Sequence, residues 1–158
     1  MSRNDASIPE LNKLQIKADI VVAENALAEA KNSTPRLAKY LKGQVGYHLQ
    51  QAAEKLIKIL IYRSDAEIDY SRLYKHDLQY IIDYARSKDI SLIVPEYVLK
   101  NTMVISSWEA EGRYDVHIVV RYPQLEKAYA THYVRPVGIK QVKLHETDAS
   151  VKSDKPEG

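Results

Sequence analysis

Cysteine and phenylalanine are both missing from the 158 residues, and the chain holds only five Gly and six Pro. Without cysteine there is no disulfide, no thiolate zinc site, no iron–sulfur cluster and no cysteine nucleophile. That fits a reducing compartment. No apolar run approaches the roughly 18 residues of a membrane span, and Met1 to Ser7 lacks the apolar stretch of a signal peptide. The expectation is a soluble cytoplasmic protein with no membrane partner. Charge of one sign is also lacking: 23 Lys plus Arg against 21 Asp plus Glu leaves +2, so no global field signals nucleic acid, and any charged partner has to be read by a local patch.

What is present is a folded composition. Hydrophobic residues make up 45% and charged residues 28%, which argues against disorder and low complexity, and the length suits one core. Twelve Tyr, one Trp and no Phe form the aromatic set; buried phenols need hydrogen-bond partners, which directs some of these Tyr to interfaces or a cleft.

The few Gly and Pro sit at the edges of long periodic segments, the pattern of an all-α chain with short connections. The expected architecture is an antiparallel, up-and-down bundle of four to five helices in residues 1–145, followed by a disordered acidic tail, 146–158. A first helix from about Pro9 to Lys31, with Ser7 as its candidate cap, carries two apolar stripes, Leu11, Leu14, Ala18, Val21 and Ile16, Ile20, Ala23, Leu27. Two stripes imply neighbours on both sides. Ser33-Thr34-Pro35 supplies a capping hydroxyl and a proline for the first turn of a second helix, which reaches about Tyr62. The short link makes the two antiparallel. Gly46, in the interior of the second helix, predicts a close packing contact. A polar loop over 63–74 precedes a third helix, about His76 to Lys88. A fourth is expected from Pro95 to Gly112 and a fifth from Pro123 to about Tyr133, stopped by Pro136. Residues 137–144 alternate weakly, as a short strand or an extended arm would.

On a helical wheel Leu41, Val45, Leu49, Ala52, Ala53, Leu56, Ile59 and Leu60 share one wide apolar face, with Gln44, His48, Gln51, Lys55 and Tyr62 together at its edge. An imidazole, an amide and a cation on successive turns are suited to lining a polar cleft; the same row also suits the solvated margin of an amphipathic helix.

The wider pattern runs through Tyr47, His48, Gln50, Gln51, Ala52, Glu54 and Lys55, then His76-Asp77-Leu78, then an Arg-Tyr pair. This resembles the HEPN family of small prokaryotic helical-bundle proteins. In that family the second helix carries a Tyr/Phe-His-x-Gln-Gln-Ala-x-Glu-Lys signature, the third opens with His-Asp-Leu and the fourth closes with Arg-Tyr-Pro. Two pairs compete for the last element: Arg113-Tyr114, with Asp115 where the family usually has Pro, and Arg121-Tyr122-Pro123. The resemblance implies a bundle that often dimerises and binds a nucleotide or RNA in a cleft. Many members are encoded beside a minimal nucleotidyltransferase as toxin–antitoxin pairs. The implied ligand-binding residues are His48, Gln51, Lys55, His76, Arg113 and Arg121.

The nuclease branch of that family has four to six residues between an Arg and the following His, as a metal-independent RNase in which His moves a proton and Arg steadies charge on the phosphate. Here only three residues separate Arg113 from His117. These two are the candidate catalytic pair, and the shortened interval predicts weak RNA cleavage or none. The rival readings are an endoribonuclease using Arg113 and His117, and a structural dimer without chemistry. Neither a cofactor nor a metal is expected: the five His show no His-x-x-x-His or Glu-x-x-His spacing, and no Gly-rich phosphate loop is present.

Overall fold

At the first chain reversal Asn32 Nδ2 and Ser33 Oγ each donate to carbonyls of the last helical turn, those of Ala28 and Ala30, both at 3.1 Å. Two residues on, Thr34 Oγ1 accepts from Leu37 N at 3.4 Å and Pro35 takes the first helical position. Orphan backbone groups on both sides of a two-residue link are thereby satisfied, and α1 (Ile8–Asn32) turns back antiparallel onto α2 (Pro35–Tyr62). The computed structural model describes residues 8–113 and 120–134. Among them the remaining helices are α3 (Leu78–Ser87), α4 (Glu96–Lys100), α5 (Thr102–Arg113) and α6 (Tyr122–Val134), with one 3-10 turn (Tyr70–Tyr74) and no strand. The all-α bundle expected from the periodicity is present.

The central element is α2. Its 28 residues span about 42 Å at about 1.5 Å per residue. One flank, Val45, Leu49, Ala53, Ile57 and Ile61, is sealed against α3 and α5 residues including Ile81, Ile82, Ile105 and Trp108. The other, Ala52, Leu56 and Ile59, closes on Ile16 and Ile20 of α1, with Tyr129 of α6 packed beside them. Only one of the two α1 stripes is buried. Ile16, Ile20, Ala23 and Leu27 face α2, whereas Leu14, Ala18 and Val21 are exposed, so the second neighbour of α1, α6, reached through Lys31 and Glu126 and through Tyr129, leaves that outward stripe uncovered.

Two boundaries move for local reasons. The third helix starts at Leu78, not His76, because Asp77 occupies the cap in an extended conformation, and its side chain accepts from Tyr80 N at 3.1 Å. The expected single helix from Pro95 to Gly112 is broken at Asn101, whose ψ of 26° leaves the helical range; its Nδ2 donates to Tyr97 O at 2.7 Å and its own carbonyl accepts from Ile105 N at 2.9 Å. One asparagine thus ends α4 and opens α5, a competition by Asx side chains for local backbone groups. The segment read as a polar loop contains the 3-10 turn, capped by Asp69 and anchored by buried Leu73. The acidic tail, the alternating stretch 137–144, Ser7 and Pro136 lie outside the described residues.

The contact anticipated at Gly46 is with Trp108. A Cβ at Gly46 would stand 3.0 Å from Trp108 Cγ and 3.1 Å from its Cβ, and that indole is almost wholly buried. Because the nearest atoms belong to the root of the side chain, α5 itself would have to retreat. Gly46→Ala is therefore expected to lower stability by about 1–2 kcal/mol, with overpacking outweighing the roughly 1 kcal/mol gain in helix propensity. Chemical denaturation measures this directly. An unchanged or raised midpoint would contradict the close approach.

Candidate functional site

The margin of α2 is held by two buried carboxylates. Asp19 lies on α1 between the core residues Ile16 and Ile20, in a position where a charge must be paired. It finds its partners across the helix pair: His48 Nδ1 at 2.9 Å from Oδ1, and Lys55 Nζ donating to Oδ2 at 2.5 Å. His48 and Lys55 come to one carboxylate because seven residues make two helical turns. Tyr47 adds an edge-on ring contact to His48 at 5.1 Å.

The second carboxylate is Glu54. It meets His76 Nδ1 at 2.8 Å and Lys58 Nζ at 3.5 Å. Gln50, fully buried, donates through Nε2 to the backbone carbonyl of His76 at 3.3 Å, and Gln51 Nε2 donates to Gln50 Oε1 at 2.8 Å. Two residues further, Leu78 N donates to Ser106 Oγ of α5 at 3.0 Å. The His-Asp-Leu segment is thus fastened to α2 by Gln50 and Glu54 and to α5 by Ser106, while the His76 side chain keeps about half of its surface in solvent.

His48, Gln51, Lys55 and His76 accordingly sit along one polar strip running from Asp19 to Glu54. Arg121 does not join it. It immediately precedes α6, where the Tyr122 ring lies under Lys42 Nζ at 4.8 Å, and Lys42 is about 20 Å from Lys55 along the axis. The backbone of Arg113 lies toward the same end, because α5 runs back along α2 from Ser106, beside the start of α3, through Trp108 at Gly46. The side chain of Arg113, and the whole of Tyr114, Asp115 and His117, fall outside the described residues. Tyr62, placed by the wheel at the far end of the strip, stacks on Tyr70 at 5.8 Å; burial first, then the neighbouring phenols Tyr70 and Tyr74, push its hydroxyl above the ordinary tyrosine range.

Among the described residues no group of three or more His, Asp or Glu is arranged to hold a metal ion, and no helix is long and apolar enough to cross a membrane. The recess lined by Ala53, Leu56, Ile57, Val94, Pro95 and Val98 is apolar and offers no donors to an anion. Comparison of the chain with protein-family models, with curated proteins and with solved structures returns no match.

Chemically, the Asp19 group supplies hydrogen-bond donors more than net charge. Its carboxylate balances Lys55, which keeps two further N–H donors, and holds the Nδ1 edge of His48, whose Nε2 meets a ligand as an acceptor in the neutral ring and as a donor in the doubly protonated one. Asp19 itself escaped the reading of α2 because it belongs to another helix. Its signal was an acid inside an otherwise aliphatic stripe of α1.

The pairing predicts strong coupling. Lys55→Met alone leaves Asp19 with one partner and is expected to lower stability by about 1–3 kcal/mol, as is Asp19→Leu alone. The double substitution should cost markedly less than the two together. A double-mutant cycle from urea denaturation that gives additive losses would show the contact to be energetically idle.

Proposed function

We propose that this chain is a HEPN-like protein that binds the phosphate of a nucleotide or of RNA, working beside a minimal nucleotidyltransferase in a toxin–antitoxin type pair or as a homodimer. The observation that carries the reading is the direct joining of the two signature segments: Gln50 and Glu54 of the helical signature hold both the backbone and the ring of His76, 22 to 26 residues away. Residues that match a family pattern in sequence also form one hydrogen-bonded unit. Beside them Lys55 and His48, fixed by Asp19 and still partly exposed, are the groups that would hold phosphate oxygens.

Binding asks less of this site than catalysis. A phosphate can be held by an ammonium, and by the Nε2–H of an imidazole protonated on both nitrogens, with tolerance in position, whereas cleavage requires His and Arg to reach the same phosphate. The three-residue interval between Arg113 and His117 turns one side chain away by about 100° on a helix for each residue removed from the family spacing. The ribonuclease reading using Arg113 and His117 is therefore the second choice. His76, tied to Glu54 and half exposed, contributes a further donor at the edge of the strip when its ring is protonated on both nitrogens.

The test separates the two readings. Purified protein titrated with a mononucleotide, and separately with a short single-stranded RNA, should bind without cleaving, and Lys55→Met/Asp19→Leu should weaken binding at least about tenfold, or 1.4 kcal/mol, with the helical content retained. Cleavage of the RNA by the wild type that disappears in His117→Ala would replace the binding module with the endoribonuclease. Absence of any binding would leave only the structural dimer.

A further inference from the structure

The outward stripe of α1 is regular. Leu14, Ala18, Val21, Asn25 and Ala28 recur at intervals of four, three, four and three, the a/d spacing of a heptad. At about 100° per residue they lie nearly opposite Ile16, Ile20, Ala23, Leu27 and Ala30, the stripe buried against α2. All five are exposed. Leu14 keeps 62% of its surface, Val21 44% and neighbouring Val22 43%, in a seam about 21 Å long at about 1.5 Å per residue that is apolar except at Asn25.

We infer that this α1 face is an interface with a second copy of the chain, the two α1 helices packing antiparallel with Ala18 of each against Val21 of the other. The inference deepens the homodimer part of the proposed function by naming its surface, and it owes nothing to the phosphate site.

Size and charge select this occupant and this direction. In the antiparallel register centred between residues 19 and 20, Leu14 packs over Asn25 of the second copy and Ala18 over Val21, each layer occurring twice by symmetry. Larger side chains meet smaller ones, so the helices can approach closely. The flanking g positions are Lys17 and Glu24, both exposed. In this register Lys17 of each copy faces Glu24 of the other, which gives two attractive pairs around the axis. A parallel pair would set Glu24 against Glu29 and Lys17 against Val22. Like charges and an unmatched cation disfavour that arrangement. Val22 on the other flank faces Gln15 of the second copy and extends the apolar contact.

A seam of this size falls at the small end of specific interfaces, so micromolar association is expected. Sedimentation of the full chain at concentrations well above micromolar should show dimers. Lys17→Glu sets two pairs of like charge across the axis and should weaken association at least about tenfold; Lys17→Glu/Glu24→Lys restores opposite charges and should recover it. Because these side chains are exposed, helical content measured alongside should not change. The absence of native cysteine makes the direction testable. Under oxidation an equimolar mixture of Ala18→Cys and Val21→Cys chains should form mixed disulfides, which neither chain matches with itself, since these two positions are partners only in the antiparallel register. A monomer at all concentrations, a dimer indifferent to Lys17→Glu, or efficient self-linking by Ala18→Cys would each overturn the inference. The readout is association, not ligand binding, so failure here and failure of the phosphate site are distinguishable.

Discussion

A carboxylate removed from water has to be met by donors, and in this bundle that requirement organises the polar margin of α2. Asp19 and Glu54 are both buried, and each draws one histidine and one lysine to itself. Through Asp19 the phase of α1 against α2 is set: a rotation of either helix by one residue, about 100°, would separate the acid from His48 and Lys55 together. Through Glu54 and neighbouring Gln50 the segment entering α3 is pinned to the same helix. Stability alone seldom favours such pairs over aliphatic packing, which makes their concentration on one strip, around partly exposed imidazoles, the chemical basis of the proposed phosphate site.

On the opposite side of α2 the constraint is steric. Gly46 lets the Trp108 indole lie against the helix backbone, and the break at Asn101 separates α5 from the direction of α4. The glycine and the asparagine act in concert: one admits the largest side chain of the core, the other lets α5 aim it there while Thr102 Oγ1 donates to Gln79 Oε1 at 2.8 Å to tie the break to α3. The same course of α5 carries Arg113 toward the start of α2, where Arg121 and Lys42 also stand. Arg121 and the backbone of Arg113, both grouped with Lys55 by the family resemblance, thus lie toward the other end of the long helix, because helices that run past one another convert proximity in motif order into distance along an axis.

Much of this was legible in the residues where the responsible signal is local. Thr34-Pro35 announced the start of α2, the wheel of α2 separated its core face from its margin, and an interior glycine pointed to a close contact. The resemblance to HEPN proteins selected His48, Gln51, Lys55 and His76, and the fold carries these on a single polar strip. Asn101 was missed because an asparagine between Lys100 and Thr102 interrupts no periodicity; only its conformation reveals that its side chain has taken a helical carbonyl.

Apart from the break at Asn101, the sequence by itself determined the helical segments, their order, the antiparallel link at Asn32 to Thr34 and the two apolar stripes of α1, since each depends on neighbours within one or two turns. Tertiary structure alone decided which α1 stripe is buried, that Asp19 is the counter-ion of both His48 and Lys55, and that Glu54 belongs to His76. Those outcomes depend on the crossing angle and relative rotation of helices distant in sequence, which the packing of the whole core sets at once. A residue can state from its own neighbourhood that it needs a partner; only the assembled bundle says which one stands within 3 Å.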